Sequence, residues 1–239
     1  MEEEKFINIL IEKAEKIGVD ISIEKAKMFY SYMKIMLEWN EKINLTAITE
    51  ENEIILKHFI DSISINKHIK NSNKIIDVGT GAGFPGIPLK IINDDIDFIL
   101  MDSLNKRIKF LEEVKEKLEL KKIELVHARA EELGKDIKYR AKVDVAVSRA
   151  VSNLRVLVEY MLPLVKKNGT CICMKGPNLL EEIEDAKNAI GKLGGKIEKI
   201  ENIMLPGNEI ERNIVIIRKI EETPNKYPRK PGIPMKQPL

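Results

Sequence analysis

Residues 74–88, KIIDVGTGAGFPGIP, join a short apolar run to an acid and then to a loop that contains four glycines. The apolar run is typical of a buried β-strand, and Asp77 lies near its carboxyl end. Glycines this dense mark a backbone that turns tightly or lets a ligand approach closely. The stretch therefore predicts a strand that is followed by a ligand-facing loop.

The segments beyond this loop alternate between strand and helix patterns. Strand-like runs are predicted at 74–78, 97–102, 122–127, 142–148, 169–174, 196–204 and 211–219. Helical patterns separate most of these runs, at 104–119, 151–165 and 178–192 among others. No helix separates the last two runs, so the last strand is predicted to be antiparallel. The expected fold class is α/β, with a doubly wound, mostly parallel, Rossmann-like sheet of seven strands.

Helical patterns also precede the first strand. Apolar stripes predict helices within 2–18, over 22–39 with Ser22 as N-cap, and through 51–69. The predicted organisation has three parts, namely an N-terminal helical extension at 1–70, a ligand-binding domain at 71–222 and a proline-rich tail at 223–239.

The charge of the chain is nearly balanced overall but is uneven along its length. The net charge is +2, and the tail carries four basic residues and no acid, which leaves 36 basic and 38 acidic residues in 1–222. An extended basic arm suits a polyanion such as nucleic acid. A solvated chain end explains the same composition equally well.

The composition also favours a soluble, cytoplasmic protein without a metal. The start MEEEKF lacks the basic segment of a secretory signal, and no apolar run is long enough to span a bilayer. Cys171 and Cys173 lie two apart on a predicted strand, where buried thiols are expected rather than a disulfide. No cysteine or histidine spacing typical of zinc is present in the sequence, so no metal is predicted.

The glycine loop formally matches the dinucleotide pattern G-x-G-x-x-G at 81–86, which is weak evidence alone. Asp77 stands two residues before the first glycine, where it would repel a pyrophosphate and attract an ammonium or sulfonium group. At ~4 Å and an effective dielectric constant near 20, each such interaction amounts to ~4 kcal/mol before desolvation. The sign of that interaction favours a cationic ligand.

The sequence resembles the RsmG (GidB) family of class I S-adenosylmethionine methyltransferases. The resemblance rests on DVGTGAGFPGIPL at 77–89, LMDSLNKRIKFL at 100–111, RAEEL at 129–133 and SRAV at 148–151, and it extends to WNEKINLT at 39–46, KHFIDSI at 57–63 and YPRKPGIP at 227–234. The resemblance implies S-adenosyl-L-methionine as cofactor and guanine N7 of 16S ribosomal RNA as the methyl acceptor. It also implies that the substrate is this rRNA or a small-subunit ribosomal particle.

The predicted cofactor site combines the family motifs with the ends of the strands. Its residues are Asp77, Gly79, Gly81, Gly83, Phe84, Asp102, Ser103, Ala130, Glu131 and Arg149. Asp102 can accept hydrogen bonds from ribose hydroxyls, a role favoured over the alternative that it caps the next helix. In similar methyltransferases the loop at Ala130 and Glu131 lies along the adenine, but an acid also favours a helix start. Arg149 can bind a carboxylate or a phosphate.

A second predicted set of residues holds the RNA phosphates. It consists of Arg129, Arg155, Lys175, Arg212, Lys226, Arg229 and Lys230. His58 and Asp61 lie three residues apart on a predicted helix, so they face the same side, where a structural hydrogen bond to the sheet domain is favoured over catalysis.

No catalytic residue is predicted, because guanine N7 has a free lone pair and no proton to lose, and the protein is expected to be a monomer. A pyrimidine-C5 enzyme would need a well-placed cysteine, and an adenine-amine enzyme often has a proline-rich loop where this chain has SRAV. Two alternatives stay open. One is an NAD(P)-dependent oxidoreductase, and the other is a non-catalytic RNA-binding or ribosome-assembly factor.

Overall fold

A computed structural model of the chain describes residues 1–149, 152–177, 179–207 and 210–239. The chain begins with α1 (Glu3–Glu15) and α2 (Ile23–Ile43). The Ser22 side chain accepts a hydrogen bond from the backbone N–H of Lys25 at 3.3 Å, so the predicted N-cap is confirmed. The helix α2 ends at Asn44, whose φ of 49° is left-handed.

The third predicted helix has the expected position but not a uniform geometry. It consists of α3 (Glu51–Glu53), a π-helical segment (Ile54–Ile60) and α4 (Asp61–Ile63), followed by a 3₁₀ turn (Asn66–His68). π-Helical turns are rare, and apolar spacing in the sequence does not distinguish them from α-helical turns. The segment carries His58 and Asp61, which both contact the sheet.

Seven strands form one sheet in the order β3-β2-β1-β4-β5-β7-β6. The strands are β1 (Lys74–Val78), β2 (Asp97–Asp102), β3 (Ile123–His127), β4 (Val143–Arg149), β5 (Val165–Lys175), β6 (Gly195–Leu205) and β7 (Ile210–Lys219). The pairs among β1 to β5 are parallel, and β7 is antiparallel to both of its neighbours. The predicted doubly wound α/β fold, including the antiparallel last strand, is confirmed.

Helices cover both faces of the sheet. They are α5 (Gly86–Ile92), α6 (Asn105–Lys117), α7 (Ala130–Leu133), α8 (Leu154–Met161) and α9 (Leu180–Lys192), and a short α10 (Ile233–Lys236) lies in the tail. Successive residues of β1 point to opposite faces, so Ile75 joins one apolar core and Ile76 the other. The first core also contains Phe6, Phe29 and Phe59, so the N-terminal helices cover that face of the sheet.

The helix predicted over 151–165 is shorter in the structure, where α8 ends at Met161. The Asn153 side chain accepts a hydrogen bond from the backbone N–H of Arg155 at 3.1 Å, which fixes the start of the helix. Pro163 cannot continue a helix, and β5 begins two residues later. Residues 150, 151 and 178, which the predicted helices 151–165 and 178–192 and the SRAV motif include, lie outside the described residues.

The proline-rich tail is folded onto the rest of the protein. The Arg140 guanidinium donates to the backbone carbonyls of Thr223 and Tyr227 at 2.7 and 2.8 Å. Arg229 forms an ion pair with Glu159 at 2.7 Å. The prediction of an extended arm, and its alternative of a solvated end, are therefore wrong, because carbonyl and guanidinium groups of the tail bind residues of the domain.

In the described ranges no helix combines the length and the apolar content needed to cross a membrane.

Candidate functional site

A cleft of about 600 Å³ lies beyond the carboxyl ends of β1 to β4, where the strand order reverses between β1 and β4. Its walls come from the glycine loop, from the residues that follow β2 and β3, from the end of β4, from the N-terminal helices and from the tail. The lining residues are Leu45, Thr46, His58, Val78, Gly79, Thr80, Gly81, Ala82, Phe84, Met101, Asp102, Ser103, Arg107, Arg129, Ala130, Glu131, Arg149, Tyr160, Gly232 and Met235. Eight of the ten predicted cofactor residues are among them.

Gly81 and Gly83 have different structural roles in the loop. Gly81 has a φ of +61°, and a Cβ on it would meet no atom within 4 Å, so its backbone is open for the approach of a ligand. Gly83 also has a positive φ, but a Cβ there would lie 2.7 Å from the Tyr32 hydroxyl and from Ile87. Gly83 therefore packs against α2 and does not line the cleft.

Asp77 lies behind the loop and is also outside the lining set. Its side chain is 0% exposed, and its Oδ2 accepts from the Thr80 hydroxyl at 2.7 Å and from the Gly86 N–H at 2.9 Å. Its Oδ1 is buried and has no partner among the residues that the structure describes. Burial raises the pKa of Asp77 to about 7. The Asp77 carboxylate therefore holds the two ends of the glycine loop together. The attraction of a cationic ligand that the sequence predicts would have to act through Oδ1.

Asp102 ends β2 and lines the cleft although its side chain is buried. Its Oδ2 accepts from the Gly81 N–H at 2.9 Å and from Arg107 at 3.2 Å, and its Oδ1 accepts from the Leu104 N–H at 2.9 Å. Asp102 thus holds the loop and also binds the backbone just before α6, but it does not cap that helix, whose N-cap residue is Leu104 without a side-chain cap hydrogen bond. Ser103 stands beside it on the wall of the cleft.

The end of β3 forms the far side of the cleft. Glu131 is buried, and its Oε1 accepts a hydrogen bond from the backbone N–H of Gly232 in the tail at 2.9 Å. Burial and the nearby Glu131 carboxylate raise the pKa of Tyr160 to about 12. Tyr160, Gly232 and Met235 are lining residues that the sequence did not reveal, because no motif links α8 or the tail to the glycine loop.

Arg149 closes the other side of the cleft. Its guanidinium donates to Asp61 Oδ2 at 3.1 Å and to the Lys57 carbonyl at 3.1 Å, and it lies 3.3 Å from His58 Nδ1. The guanidinium carbon lies 4.8 Å from the centre of the Phe84 ring. The predicted structural link from His58 and Asp61 to the sheet is therefore confirmed.

A second cavity of about 330 Å³ adjoins this cluster. Its lining residues are Ile48, Lys57, His58, Asp61, Arg149, Met174, Lys175, Gly176 and Arg212. It shares His58 and Arg149 with the first cleft. The predicted RNA-binding residues Lys175 and Arg212 are paired here, with Glu182 at 2.6 Å and with Asp61 at 3.2 Å.

The other predicted RNA-binding residues differ in solvent exposure and in ion pairing. Arg129 is exposed at the mouth of the cleft, and Lys226 and Lys230 are exposed on the tail. Arg155 is half-buried at the start of α8. Arg229 donates through Nε and a terminal nitrogen to both carboxylate oxygens of Glu159, so its guanidinium serves the fold in this structure.

His58 is held neutral by its surroundings. Burial and the Arg149 charge lower the pKa of His58 to about 3. The Thr46 hydroxyl lies 2.8 Å from its Nε2, and the ring stacks on Phe84 with centres 4.4 Å apart. An uncharged imidazole with both nitrogens in contact with protein groups positions its neighbours and does not add charge to the cleft.

This burial predicts how stability depends on pH. The unfolded chain takes up a proton on His58 below about pH 6.5, and the folded protein does not until about pH 3. Between pH 7 and pH 5 this difference costs about 2 kcal/mol of unfolding free energy. His58→Gln removes the cost, so its unfolding free energy, measured in urea, should fall less on acidification. His127→Gln, at an exposed histidine, should keep the wild-type slope, and equal slopes for the wild type and His58→Gln would contradict the assignment.

The strand order, the glycine loop and the carboxylate at the end of β2 together define a class I methyltransferase. The chain belongs to the family described as rRNA small subunit methyltransferase G (GidB), whose model matches residues 25–215.

Full-length relatives support this membership. The chain is 55% identical to ribosomal RNA small subunit methyltransferase G of Acetivibrio thermocellus over 236 residues, which are 98% of this chain and 97% of the relative. It is 50% identical to the protein of the same name from Alkaliphilus metalliredigens, over 97% of this chain and 98% of that one. The fold is similar to that of M. jannaschii TYW2, solved in complex with AdoMet, with a TM-score of 0.52, 17% identity and coverage of 67% of this chain and 77% of that one.

Proposed function

We propose that this protein transfers a methyl group from S-adenosyl-L-methionine to guanine N7 in the 16S rRNA of the small ribosomal subunit. The observation that carries the proposal is the pair of adjoining cavities. One spans the ends of β1 to β4, the other lies at β4 and β5, and His58 and Arg149 belong to both. A nucleoside donor in the first cavity would meet an acceptor base in the second at this shared wall.

The residues of the first cleft suit the donor. The open backbone at Gly81 would admit a ligand, and Asp102, which lines the cleft at the end of β2, would accept from ribose hydroxyls. Ala130 and Glu131, beyond the next strand, are then placed for the adenine. Arg149, on the opposite side of the loop, would bind the carboxylate of the methionine part alongside its contacts with Asp61 and Lys57.

The acceptor chemistry needs no general base. When bound, the donor supplies a sulfonium methyl group, which the N7 lone pair takes up as the sulfur–carbon bond breaks. The protein then has to align the base, and alignment can supply ~7–11 kcal/mol of barrier lowering. The cysteines offer no covalent route, because Cys171 and Cys173 are fully buried and burial raises the pKa of the Cys173 thiol to about 12.

Each of the three parts of the chain has a role in the proposed function. The helices of 1–70 and the domain of 71–222 frame the two cavities, and the tail of 223–239 adds exposed lysines near the cleft. The proposal includes a monomeric enzyme that acts in the cytoplasm without a metal ion. Its substrate is the 16S rRNA or a small-subunit particle, in which the target base must be unstacked before it can enter the site.

The decisive experiment combines the protein with unmethylated 16S rRNA and labelled S-adenosyl-L-methionine. Borohydride reduction and aniline treatment then cleave the product selectively at 7-methylguanine. Label at a single cleavage site supports the proposal, and label that resists this cleavage would refute N7 as the target. Asp102→Ala should lose methylation together with binding of S-adenosylhomocysteine. Asp97→Ala, at the exposed opposite end of the same strand, is the matched control and should keep both.

The same preparation separates the alternatives. Binding of S-adenosylhomocysteine without binding of NADH excludes an oxidoreductase, and the reverse result would overturn the proposal. RNA binding without methyl transfer in any preparation of rRNA or particle would favour the assembly factor.

Two exposed tail lysines provide a test of RNA binding. Each phosphate contact on single-stranded RNA contributes about 0.7 to the slope of log affinity against log salt. The double substitution of Lys226 and Lys230 with alanine should therefore reduce that slope by about 1.4, measured by filter binding at several salt concentrations. Substitution of the exposed Lys196 on β6 should leave it unchanged. If the doubly substituted protein keeps the full slope, these lysines do not contact phosphates.

A further inference from the structure

The tail forms one wall of the cleft at the end of β3. Gly232 and Met235 line the cleft together with Ala130 and Glu131. The backbone N–H of Gly232 donates to Glu131 Oε1 at 2.9 Å, so the tail is joined to the cleft by a hydrogen bond to a buried carboxylate. Met235 follows on the short helix α10 and is 60% exposed, which leaves its thioether accessible to a ligand.

Several contacts hold the tail in this place. Glu159 on α8 is 0% exposed, and its Oε1 accepts from the backbone N–H of Arg229 at 2.7 Å and from Arg229 Nε at 3.0 Å. A buried carboxylate without this partner would be costly, so the pair fixes the tail firmly. Just after α7, a Cβ on Gly134 would lie 2.8 Å from Pro228, so the tail approaches the domain closely there. The Arg140 guanidinium binds the backbone at the start of the tail.

The strand order shows which part of a nucleoside the tail would meet. The cleft runs from Arg149 at β4, across the glycine loop at β1 and Asp102 at β2, to Ala130 and Glu131 beyond β3. With the ribose at Asp102, the base extends toward β3. The tail therefore lies beside the base and away from the methionine part of the donor.

We propose that residues 228–236 are part of the donor site, in which Met235 contacts the adenine and Arg229 is a positioning residue that holds the tail against α8. This inference rests on the proposed function, because it takes the ligand to be an adenosine derivative. Sulfur contacts the faces and edges of aromatic rings favourably, and an unbranched side chain adapts to the ring it covers. The segment thus belongs to the cofactor site as well as to the surface that carries the tail lysines.

The test is isothermal titration of the full chain with S-adenosylhomocysteine and with 5′-methylthioadenosine, which lacks the amino acid part. Met235→Ala should weaken both ligands by the same factor, roughly threefold to tenfold. Met235→Leu keeps the apolar contact but not the sulfur, so it should restore part of the affinity. The exposed Lys236 lies on the same helix, so Lys236→Ala is the matched control and should bind both ligands as the wild type does. The unfolding midpoint of ligand-free Met235→Ala should not change.

Arg229→Gln tests the positioning role by non-additivity. It should weaken both ligands at least as much as Met235→Ala, and adding Met235→Ala to it should cause no further loss, because the detached tail no longer presents Met235. Wild-type affinities in Met235→Ala, or a loss for S-adenosylhomocysteine alone, would overturn the proposal. Additive losses would overturn the positioning role of Arg229. A wild-type protein that binds neither ligand would instead refute the proposed function.

Discussion

Replacement of Asp77 with alanine is expected to lower the affinity for S-adenosylhomocysteine at least ~100-fold. The carboxylate accepts hydrogen bonds from Thr80, at the start of the glycine loop, and from Gly86, at the first turn of α5. Hydrogen bonds to a charged acceptor contribute about 1.5–3 kcal/mol each, and their loss leaves buried donors without partners. The loop would lose its shape and with it the open backbone at Gly81. Isothermal titration measures the effect.

Asp77→Asn is the matched variant, because it keeps an acceptor for both donors but cannot ionise. Burial raises the folded pKa of Asp77 to about 7 from an ordinary value of 3.8. The folded protein therefore binds a proton that the unfolded chain releases, and Asp77 lowers stability as pH rises through this range. From pH 5 to pH 8 this contribution amounts to about 2.5 kcal/mol of unfolding free energy. The unfolding free energy of Asp77→Asn minus that of the wild type should therefore increase by this amount from pH 5 to pH 8. A difference that is constant with pH would refute the ionisation of a buried Asp77.

Replacement of Arg149 with alanine is expected to destabilise the protein by about 3–5 kcal/mol, the usual cost of removing one partner from a buried ion pair. Asp61 would keep its ion pair with Arg212, and the carbonyl of Lys57 would lose the hydrogen bond from Arg149. Donor binding should fall as well, because the Arg149 guanidinium lies over Phe84 in the wall of the cleft. Urea unfolding at pH 7 measures the first effect, and titration with S-adenosylhomocysteine measures the second.

A double-substitution cycle with Asp61→Ala separates the pair from its surroundings. If the two side chains act as one buried unit, the combined loss should be smaller than the sum of the single losses. Arg218→Ala is the matched control, since Arg218 pairs with Glu198 on the exposed part of β7 and β6. Its effect should stay below about 1 kcal/mol. An Arg149→Ala loss as small as that of Arg218→Ala would show that the network contributes little.

The part of the site that could be predicted from the sequence is the part that is local in the chain. The glycine loop follows β1 directly, Asp102 ends β2 with Ser103 after it, and Ala130 follows β3. Parallel strands bring these ends to one edge, so a strand pattern is enough to group them. The same patterns predict the number of strands and the antiparallel direction of β7.

The remaining parts depend on contacts between distant segments. Met235 lies at the cleft because the tail folds back onto the domain through contacts such as those of Arg229 with Glu159 and of Gly232 with Glu131, which no local pattern shows. Asp77 was expected beside the ligand because it adjoins the glycines, but its side chain points behind the loop, as residues on one face of a strand can. Apolar spacing also does not show that His58 lies on a π-helical turn. Charge alone does not distinguish an exposed lysine such as Lys230 from a buried, paired one such as Lys175.

The wall that the two cavities share has a consequence for how binding in one cavity affects binding in the other. His58 and Arg149 cannot change position in one cavity without changing the other, because the same two side chains border both. A ligand in one cavity that favours one arrangement of these side chains therefore changes the affinity of the other cavity for its own ligand. The coupling free energy is the same in both directions. Under the proposed function, binding of the donor and binding of the acceptor base are thermodynamically linked.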